Sequence, residues 1–315
     1  MSRSGSRLFR GSGCFPATRF RSVVAALAGL CVATLVVGCS SGEGTASSTT
    51  SAATTSAATT SSAASSSAAA SSSKAATSGS SSAAASGPVA AGTLTVFAAA
   101  SLKATFTQIG TIFQTENPGS TVTFNFAGSS DLVTQLTADA PADVFASADE
   151  ANMTKATTAN LVSGTPVNFA SNILTIVTQP GNPSGITGFA DLAKPGLDVV
   201  VCAPQVPCGA AAAKVEANTG VTLTPVSEEN SVTDVLGKIT SGQADAGLVY
   251  VTDAKNAGDK VSQVDFPEAA AVVNVYPIAT RTAATQPALA TKFVDLVTGP
   301  EGQQVLAVAG FKPAP

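Results

Sequence analysis

The chain has 315 residues and a formal charge of −4, from 20 acidic and 16 basic side chains. An acidic balance without a basic run argues against a nucleic-acid-binding protein and against electrostatic attraction to a membrane surface. The chain contains no histidine, which excludes histidine-based triads and histidine metal sites. It also lacks a glycine-rich phosphate loop followed by lysine. A binding protein, a structural domain or an enzyme that works without histidine remains.

Residues 1–38 have the pattern of a secretory signal. Arginines precede an apolar run from Val23 to Val37. This run of about 15 residues is shorter than the roughly 20 that a membrane-spanning helix needs. It ends in Leu35–Cys39, which resembles the lipobox of bacterial lipoproteins. That resemblance implies cleavage before Cys39, a lipid on its sulfur and an extracytoplasmic protein held at the cell membrane. The alternative is an uncleaved signal anchor.

The next stretch is of low complexity. Residues 40–91 consist almost wholly of Ser, Ala, Thr and Gly, which cannot bury a core. We therefore expect residues 39–91 to comprise the lipidated cysteine and a disordered tether. The folded part is then 92–315, which is long enough for two modest lobes.

The folded part begins with a strand that runs into a helix. Leu94 and Val96 suit a buried strand, and Ser101 occupies the expected N-cap position. Behind it, apolar residues at helical spacing define one buried face: Leu102, Phe106, Ile109 and Phe113. A strand end that meets a helix N-terminus brings backbone N–H groups and the positive end of the helix dipole together. This arrangement favours an anion.

Similar junctions recur along the chain. Ser129 and Ser130 separate a strand over 120–127 from a helix, and Val232 begins another helix after Asn230 and Ser231. A strand over 243–250 ends at Tyr250. Taken alone, each serine is better explained as a plain helix cap than as a ligand residue.

Strands and helices alternate throughout 92–315, which predicts α/β layers with mostly parallel sheets. Ligands of such sheets bind beyond the carboxyl ends of the strands. The convergence of several junctions there predicts one binding cleft.

Two cysteines lie in the folded part. Cys202 and Cys208 are close in sequence in a domain expected to be exported, which predicts a disulfide. A metal or redox pair is the alternative, although the spacing is not CxxC and histidine ligands are absent.

Catalytic residues are not apparent. Glu228 and Glu229 precede a helix start, where a solvated role is expected, and Lys103, Lys214 and Arg281 lie in polar surface patterns. A hydrolase with Ser101 or Ser129 as nucleophile would need a lysine base, and no suitable pairing is visible.

The chain resembles the substrate-binding proteins of bacterial molybdate ABC transporters over essentially all of 92–315. Six segments carry the resemblance in the family's order and spacing: Thr95–Leu102, Phe126–Leu132, Ala140–Asp149, Val206–Gly209, Gly247–Asp253 and Gly299–Gly302.

The resemblance implies a two-lobed, periplasmic-binding-protein-like fold of type II with the ligand between the lobes. One lobe would combine 92–171 with 276–315, and the other would be 172–275. Each lobe would be a mostly parallel sheet flanked by helices.

The resemblance also implies a ligand site. The residues that match the family's oxyanion ligands are Ser101, Ser129, Cys208, Val232 and Tyr250, with Ser130 a weaker match for the second serine. Cys208 and Val232 would contribute backbone N–H groups. Cys208 replaces the alanine of many relatives, so its side chain is free to pair with Cys202.

The implied function is capture of molybdate, and also tungstate, for delivery to an ABC transporter permease. The protein would be a monomer that binds no nucleic acid, needs no cofactor and is not an enzyme. Sulfate or another small oxyanion is the nearest alternative ligand. A secreted serine hydrolase and an adhesive or structural surface domain are the alternatives from other classes.

Overall fold

The computed structural model describes residues 91–315. The expected signal peptide, the lipidation site at Cys39 and the tether up to residue 90 lie outside the described residues. Within 91–315, no helix is both long enough and apolar enough to cross a membrane.

Strands and helices alternate along the described chain. The strands are β1 (Thr93–Ala99), β2 (Thr121–Ala127), β3 (Val144–Ala146), β4 (Val162–Asn172), β5 (Leu174–Thr178), β6 (Val199–Cys202), β7 (Ser227–Glu229), β8 (Ala246–Tyr250), β9 (Ser262–Val264) and β10 (Asn274–Arg281). The α-helices are α1 (Lys103–Glu116), α2 (Ser129–Thr137), α3 (Glu150–Thr158), α4 (Pro207–Thr219), α5 (Val232–Thr240), α6 (Val251–Ala257), α7 (Pro287–Thr298) and α8 (Pro300–Ala309).

The strands form two five-stranded mixed sheets. The first has the order β2-β1-β3-β10-β4, and only β10 runs against the others. The second has the order β7-β6-β8-β5-β9, and only β5 is reversed. We call the first sheet with its helices lobe 1, and we call the second sheet with its helices lobe 2. The α/β layering predicted from the alternating pattern is confirmed.

The chain passes between the sheets twice. It leaves the first sheet at Ile173, between β4 and β5, and returns over 265–273, between β9 and β10. Lobe 1 is therefore built from both ends of the described chain. Two connections between lobes allow them to move about a hinge.

Each lobe has its own core. In lobe 1, a cluster of aromatic rings joins α1, the sheet and α7, with ring centroids 5.5–6.5 Å apart: Phe106, Phe113, Phe124, Phe169 and Phe293. The spacing of Phe106, Ile109 and Phe113 on α1 buries all three, as the helical pattern predicts. In lobe 2 the core is mainly aliphatic and alanine-rich, with a Phe189–Phe266 pair and Tyr250 as its aromatic members. Ala100, at the end of β1, packs against the lobe 2 core, so the lobes are closed on each other.

Candidate functional site

A small cavity lies between the lobes, where strand ends from both sheets meet. All five predicted ligand residues line it: Ser101, Ser129, Cys208, Val232 and Tyr250. Ala99, Ala100, Gly128, Ala148, Val206 and Pro207 complete the lining. The cavity has a volume of about 10 Å³, close to the minimum for one water centre. The lobes therefore approach each other closely around these residues.

Ser101 does not cap a helix. It lies in a short 3-10 turn over Ala100–Leu102, and its side chain makes no capping hydrogen bond to that turn or to α1. The predicted N-cap role is therefore wrong, because the tight turn moves the start of α1 to Lys103. The buried hydroxyl instead lies 3.1 Å from Tyr276 Oη.

Ser129 is the first residue of α2, and Gly128 occupies the N-cap position. The Ser129 hydroxyl makes no capping bond within α2 and accepts a hydrogen bond from the Ala148 N–H at 3.0 Å. With its oxygen so engaged, the Ser129 O–H proton is left to donate to a ligand. Ser130, the weaker match, does not line the cavity.

Two further helices begin at the cavity, and both belong to lobe 2. Cys208 is in the first turn of α4, and Val232 is the first residue of α5. N–H groups of a first turn have no acceptor within their own helix, and the helix dipole adds a partial positive charge there. The side chain of Ser231 caps α5 by accepting from the Asp234 N–H. The Val232 N–H also belongs to the first turn, and the Ser231 cap does not satisfy it.

A disulfide joins Cys202, at the end of β6, to Cys208. The bond spans the loop that leads into α4 and attaches the first turn of that helix to the sheet. The cysteine pair therefore fixes the position of a cavity-lining N–H group.

Tyr250 ends β8 with its side chain buried to 1% exposure. Its hydroxyl has no hydrogen-bond partner among the described residues. A buried hydroxyl without a partner is uncommon in folded proteins. Because Tyr250 also lines the cavity, its hydroxyl is available to a ligand there. Burial raises the pKa of Tyr250 well above its usual value, so the hydroxyl keeps its proton and acts as a donor.

Next to Tyr250, the Asp253 carboxylate accepts the Tyr250 N–H at 3.1 Å. Burial raises the pKa of Asp253 to about 7, although this hydrogen bond opposes the shift. Asp253 orients the end of β8 and does not line the cavity.

The cavity lining carries no charged side chain. Three serine and tyrosine hydroxyls and the first turns of α2, α4 and α5 offer neutral donors instead. Such donors complement an anion with several acceptor oxygens. Glu228, Glu229, Lys103, Lys214 and Arg281 all lie outside the lining. Among residues 91–315, no cluster of three metal-ligating side chains occurs.

Several residues around the cavity were not identified from the sequence. Gly128 and Ala148 lie within segments that carried the family resemblance, so these segments could have indicated them. Tyr276 and Asn274, which lie behind the serines, have no local signal, because their role depends on the pairing of β10 with distant strands.

Comparison with known proteins identifies the family of this chain. Residues 94–312 match the family described as bacterial extracellular solute-binding protein. The molybdate-binding protein ModA of Mycobacterium tuberculosis is 58% identical over 219 residues, which are 70% of this chain and 84% of that protein. ModA of Escherichia coli is 30% identical over 230 residues, which cover 70% and 89% of the two chains.

A solved structure agrees with these relatives. The periplasmic molybdate-binding protein of Azotobacter vinelandii superposes with a TM-score of 0.61 and 25% identity, covering 69% of this chain and 98% of the other. The predicted two-lobed fold is thereby confirmed. The chain belongs to the family of bacterial extracellular solute-binding proteins, among the relatives of ModA.

Proposed function

We propose that this protein captures molybdate, and also tungstate, outside the cytoplasm and delivers it to an ABC transporter permease. One observation carries the proposal. The five residues that match the family's oxyanion ligands come from five separate parts of the chain and from both lobes, yet all line one small uncharged cavity.

The chemistry of the cavity fits a tetrahedral dianion. Each oxygen of such an ion accepts hydrogen bonds and donates none. Hydroxyls of Ser101, Ser129 and Tyr250 and N–H groups of Cys208 and Val232 would surround it. Because hydrogen bonds to a charged partner are stronger than neutral ones, several neutral donors can replace the hydration shell of the ion. This explains how an acidic protein can bind an anion.

Sulfate is the second candidate ligand. A sulfate-binding protein of Synechococcus elongatus is 29% identical over 255 residues. Sulfate is smaller than molybdate and tungstate, so lobes that close to contact the larger ions would leave its oxygens short of the donors. We therefore expect sulfate to compete poorly and tungstate to compete well.

A hydrolytic function has less support. Ser101 and Ser129 lie in the cavity without a lysine or carboxylate beside them in the lining, and the chain has no histidine. A serine nucleophile needs an adjacent base. We therefore propose a binding protein that is not an enzyme and needs no resident cofactor.

The proposed cellular setting follows the sequence. A monomer attached through a lipid on Cys39 would hold its ligand between closed lobes and release it to a permease. The close approach of the lobes around the cavity supports closure on the ligand.

Thermal unfolding tests the proposed function. A ligand that binds only the folded state stabilises it by about 2.7 kcal/mol at one hundred times its Kd. We expect molybdate and tungstate to raise the melting temperature at low concentrations and sulfate to do so only at high ones. Absence of a shift with every oxyanion would contradict the proposal, and equal shifts for sulfate and molybdate would indicate a general oxyanion binder.

A further inference from the structure

Two buried polar residues on β10 lie behind the two serines of the cavity. Asn274 and Tyr276 are two positions apart, so they project from the same side of the strand, and they are 6% and 0% exposed. Neither lines the cavity. Each is connected to a different serine.

Tyr276 contacts Ser101 directly. The two hydroxyl oxygens lie 3.1 Å apart, and either one can be the donor. An oxyanion can only accept, so Ser101 contributes to its binding only with its own proton directed at the ligand. Ser101 Oγ is then free to accept the Tyr276 proton, so that both hydroxyl protons of the pair have an acceptor.

Asn274 is connected to Ser129 through Ala148. The Asn274 side-chain amide donates to the Ala148 carbonyl oxygen at 3.0 Å, and the Ala148 N–H donates to Ser129 Oγ at 3.0 Å. A second bond, from the Ser147 N–H to the Pro277 carbonyl oxygen, fastens the same loop to β10. The direction of the Ser129 proton therefore depends on a loop that β10 holds.

We propose that Tyr276 and Asn274 are positioning residues that direct the hydroxyl protons of Ser101 and Ser129 at the bound oxyanion. The inference rests on the proposed function and adds to it. Both residues belong to the strand on which the chain returns from lobe 2 to lobe 1. The strand that closes lobe 1 thus also orients the hydroxyl donors that this lobe supplies.

Double-mutant cycles on the full chain test the proposal, with molybdate affinity as the readout. Tyr276→Phe keeps the packed ring and removes only the hydroxyl. In the wild-type background we expect it to weaken molybdate binding about five- to tenfold, the effect of one hydrogen bond. In a Ser101→Ala background we expect less than about a twofold effect, because the group that Tyr276 orients is gone.

The second cycle pairs Asn274→Ala with Ser129→Ala and has the same expected outcome. The crossed pair, Tyr276→Phe with Ser129→Ala, serves as the control and should be additive. Thr175→Val, which removes a buried lobe 2 hydroxyl bonded to Asp265, should lower the melting temperature but leave the affinity unchanged.

Additive effects in the Tyr276–Ser101 cycle would overturn the proposal, since a residue that acts only on overall stability weakens binding equally in both backgrounds. If Asn274→Ala does not fold, the Tyr276–Ser101 cycle decides alone. Failure of the proposed function has a different signature, because the wild-type protein would then bind no oxyanion at all.

Discussion

We expect the Tyr250 hydroxyl to contribute to ligand binding but not to the stability of the free protein. It is buried and has no partner among the described residues. Removing such a group does not destabilise the unliganded protein, because no hydrogen bond is lost. Its only use would be in the ligand complex.

We therefore expect Tyr250→Phe to leave the melting temperature of the free protein unchanged or slightly raised. Molybdate affinity should fall by about 1.5–3 kcal/mol, the value of a hydrogen bond to a charged group. Thermal unfolding and calorimetry of the same preparation measure both quantities. A variant that is less stable and binds normally would assign Tyr250 a structural role.

Ser101→Ala should behave differently, because Ser101 has a protein partner as well. The substitution leaves the Tyr276 hydroxyl without its 3.1 Å neighbour, so both stability and affinity should decrease. We expect affinity to fall by about 1–3 kcal/mol. Unchanged affinity in calorimetry would remove Ser101 from the site.

At the residue scale, the sequence identified cavity residues better than it identified their local roles. The family motif predicts Ser101 and Ser129 at the cavity, whereas each serine taken alone favours a helix cap. The structure shows that neither hydroxyl caps its helix. Capping is decided by the turn geometry before a helix, which residue type alone does not determine.

At the scale of single elements, the start of α4 depends on the disulfide. We expect reduction of Cys202–Cys208 to weaken molybdate binding severalfold while both lobes stay folded. The bond closes a short loop with a sequence separation of 6, so its loss costs about 2 kcal/mol.

Calorimetry with and without reductant measures this effect, and mass spectrometry verifies that the bond has opened. Cys202→Ala is the matched control, because its affinity should no longer respond to reductant. Unchanged wild-type affinity after verified reduction would show that the bond does not support the site.

We expect the stability of the protein to depend on pH because of a buried carboxyl in the first turn of α6. The buried Asp253 carboxyl has a pKa of about 7 in the folded protein against an ordinary value of 3.8. Between these values the folded state holds a proton that the unfolded state has released. The stability that the Asp253 carboxyl contributes is therefore complete below its ordinary pKa of 3.8. It is lost as the pH rises through the folded-state pKa of about 7.

Asp253→Asn keeps an oxygen that can accept the Tyr250 N–H but does not titrate. We expect the variant to gain up to a few kcal/mol of stability relative to wild type as pH rises through this window. Denaturant unfolding of both proteins at a series of pH values provides the comparison. If the free energies of unfolding of the two proteins changed with pH in parallel, the raised pKa of Asp253 would be contradicted.

Elements differ in how far sequence predicts them. The buried β1 and the amphipathic α1 follow from composition and spacing. The strand β4 was not predicted, because Gly164 and Pro166 interrupt its pattern. It forms at the edge of its sheet, where proline is tolerated, and its pairing with β10 contains register shifts. Short edge strands such as β7 and β9 depend on neighbours that are distant in sequence.

For the whole molecule, closure brings Gly128 of lobe 1 against the Asn230 carbonyl of lobe 2. A Cβ at Gly128 would overlap that oxygen. The backbone of Gly128, with φ −59° and ψ 140°, suits any residue, so the obstacle lies only across the cleft. Gly128→Ala should thus allow both lobes to fold but hinder their closure.

We expect Gly128→Ala to weaken molybdate binding about tenfold or more, since overpacking costs about 1–3 kcal/mol. The melting temperature of the unliganded protein should change little. Gly237→Ala is the control, because a Cβ there meets nothing within 4 Å. Equal affinities of the two variants would show that the closed contact is not needed for binding.

The central claim is that neutral donors between two lobes select a tetrahedral oxyanion of molybdate size. Calorimetric titration of the purified protein with molybdate, tungstate and sulfate tests it most directly. We predict tight and similar binding of molybdate and tungstate, with sulfate at least about 1.4 kcal/mol weaker, a tenfold difference. Equal affinity for sulfate and molybdate, or no binding of either, would contradict the account.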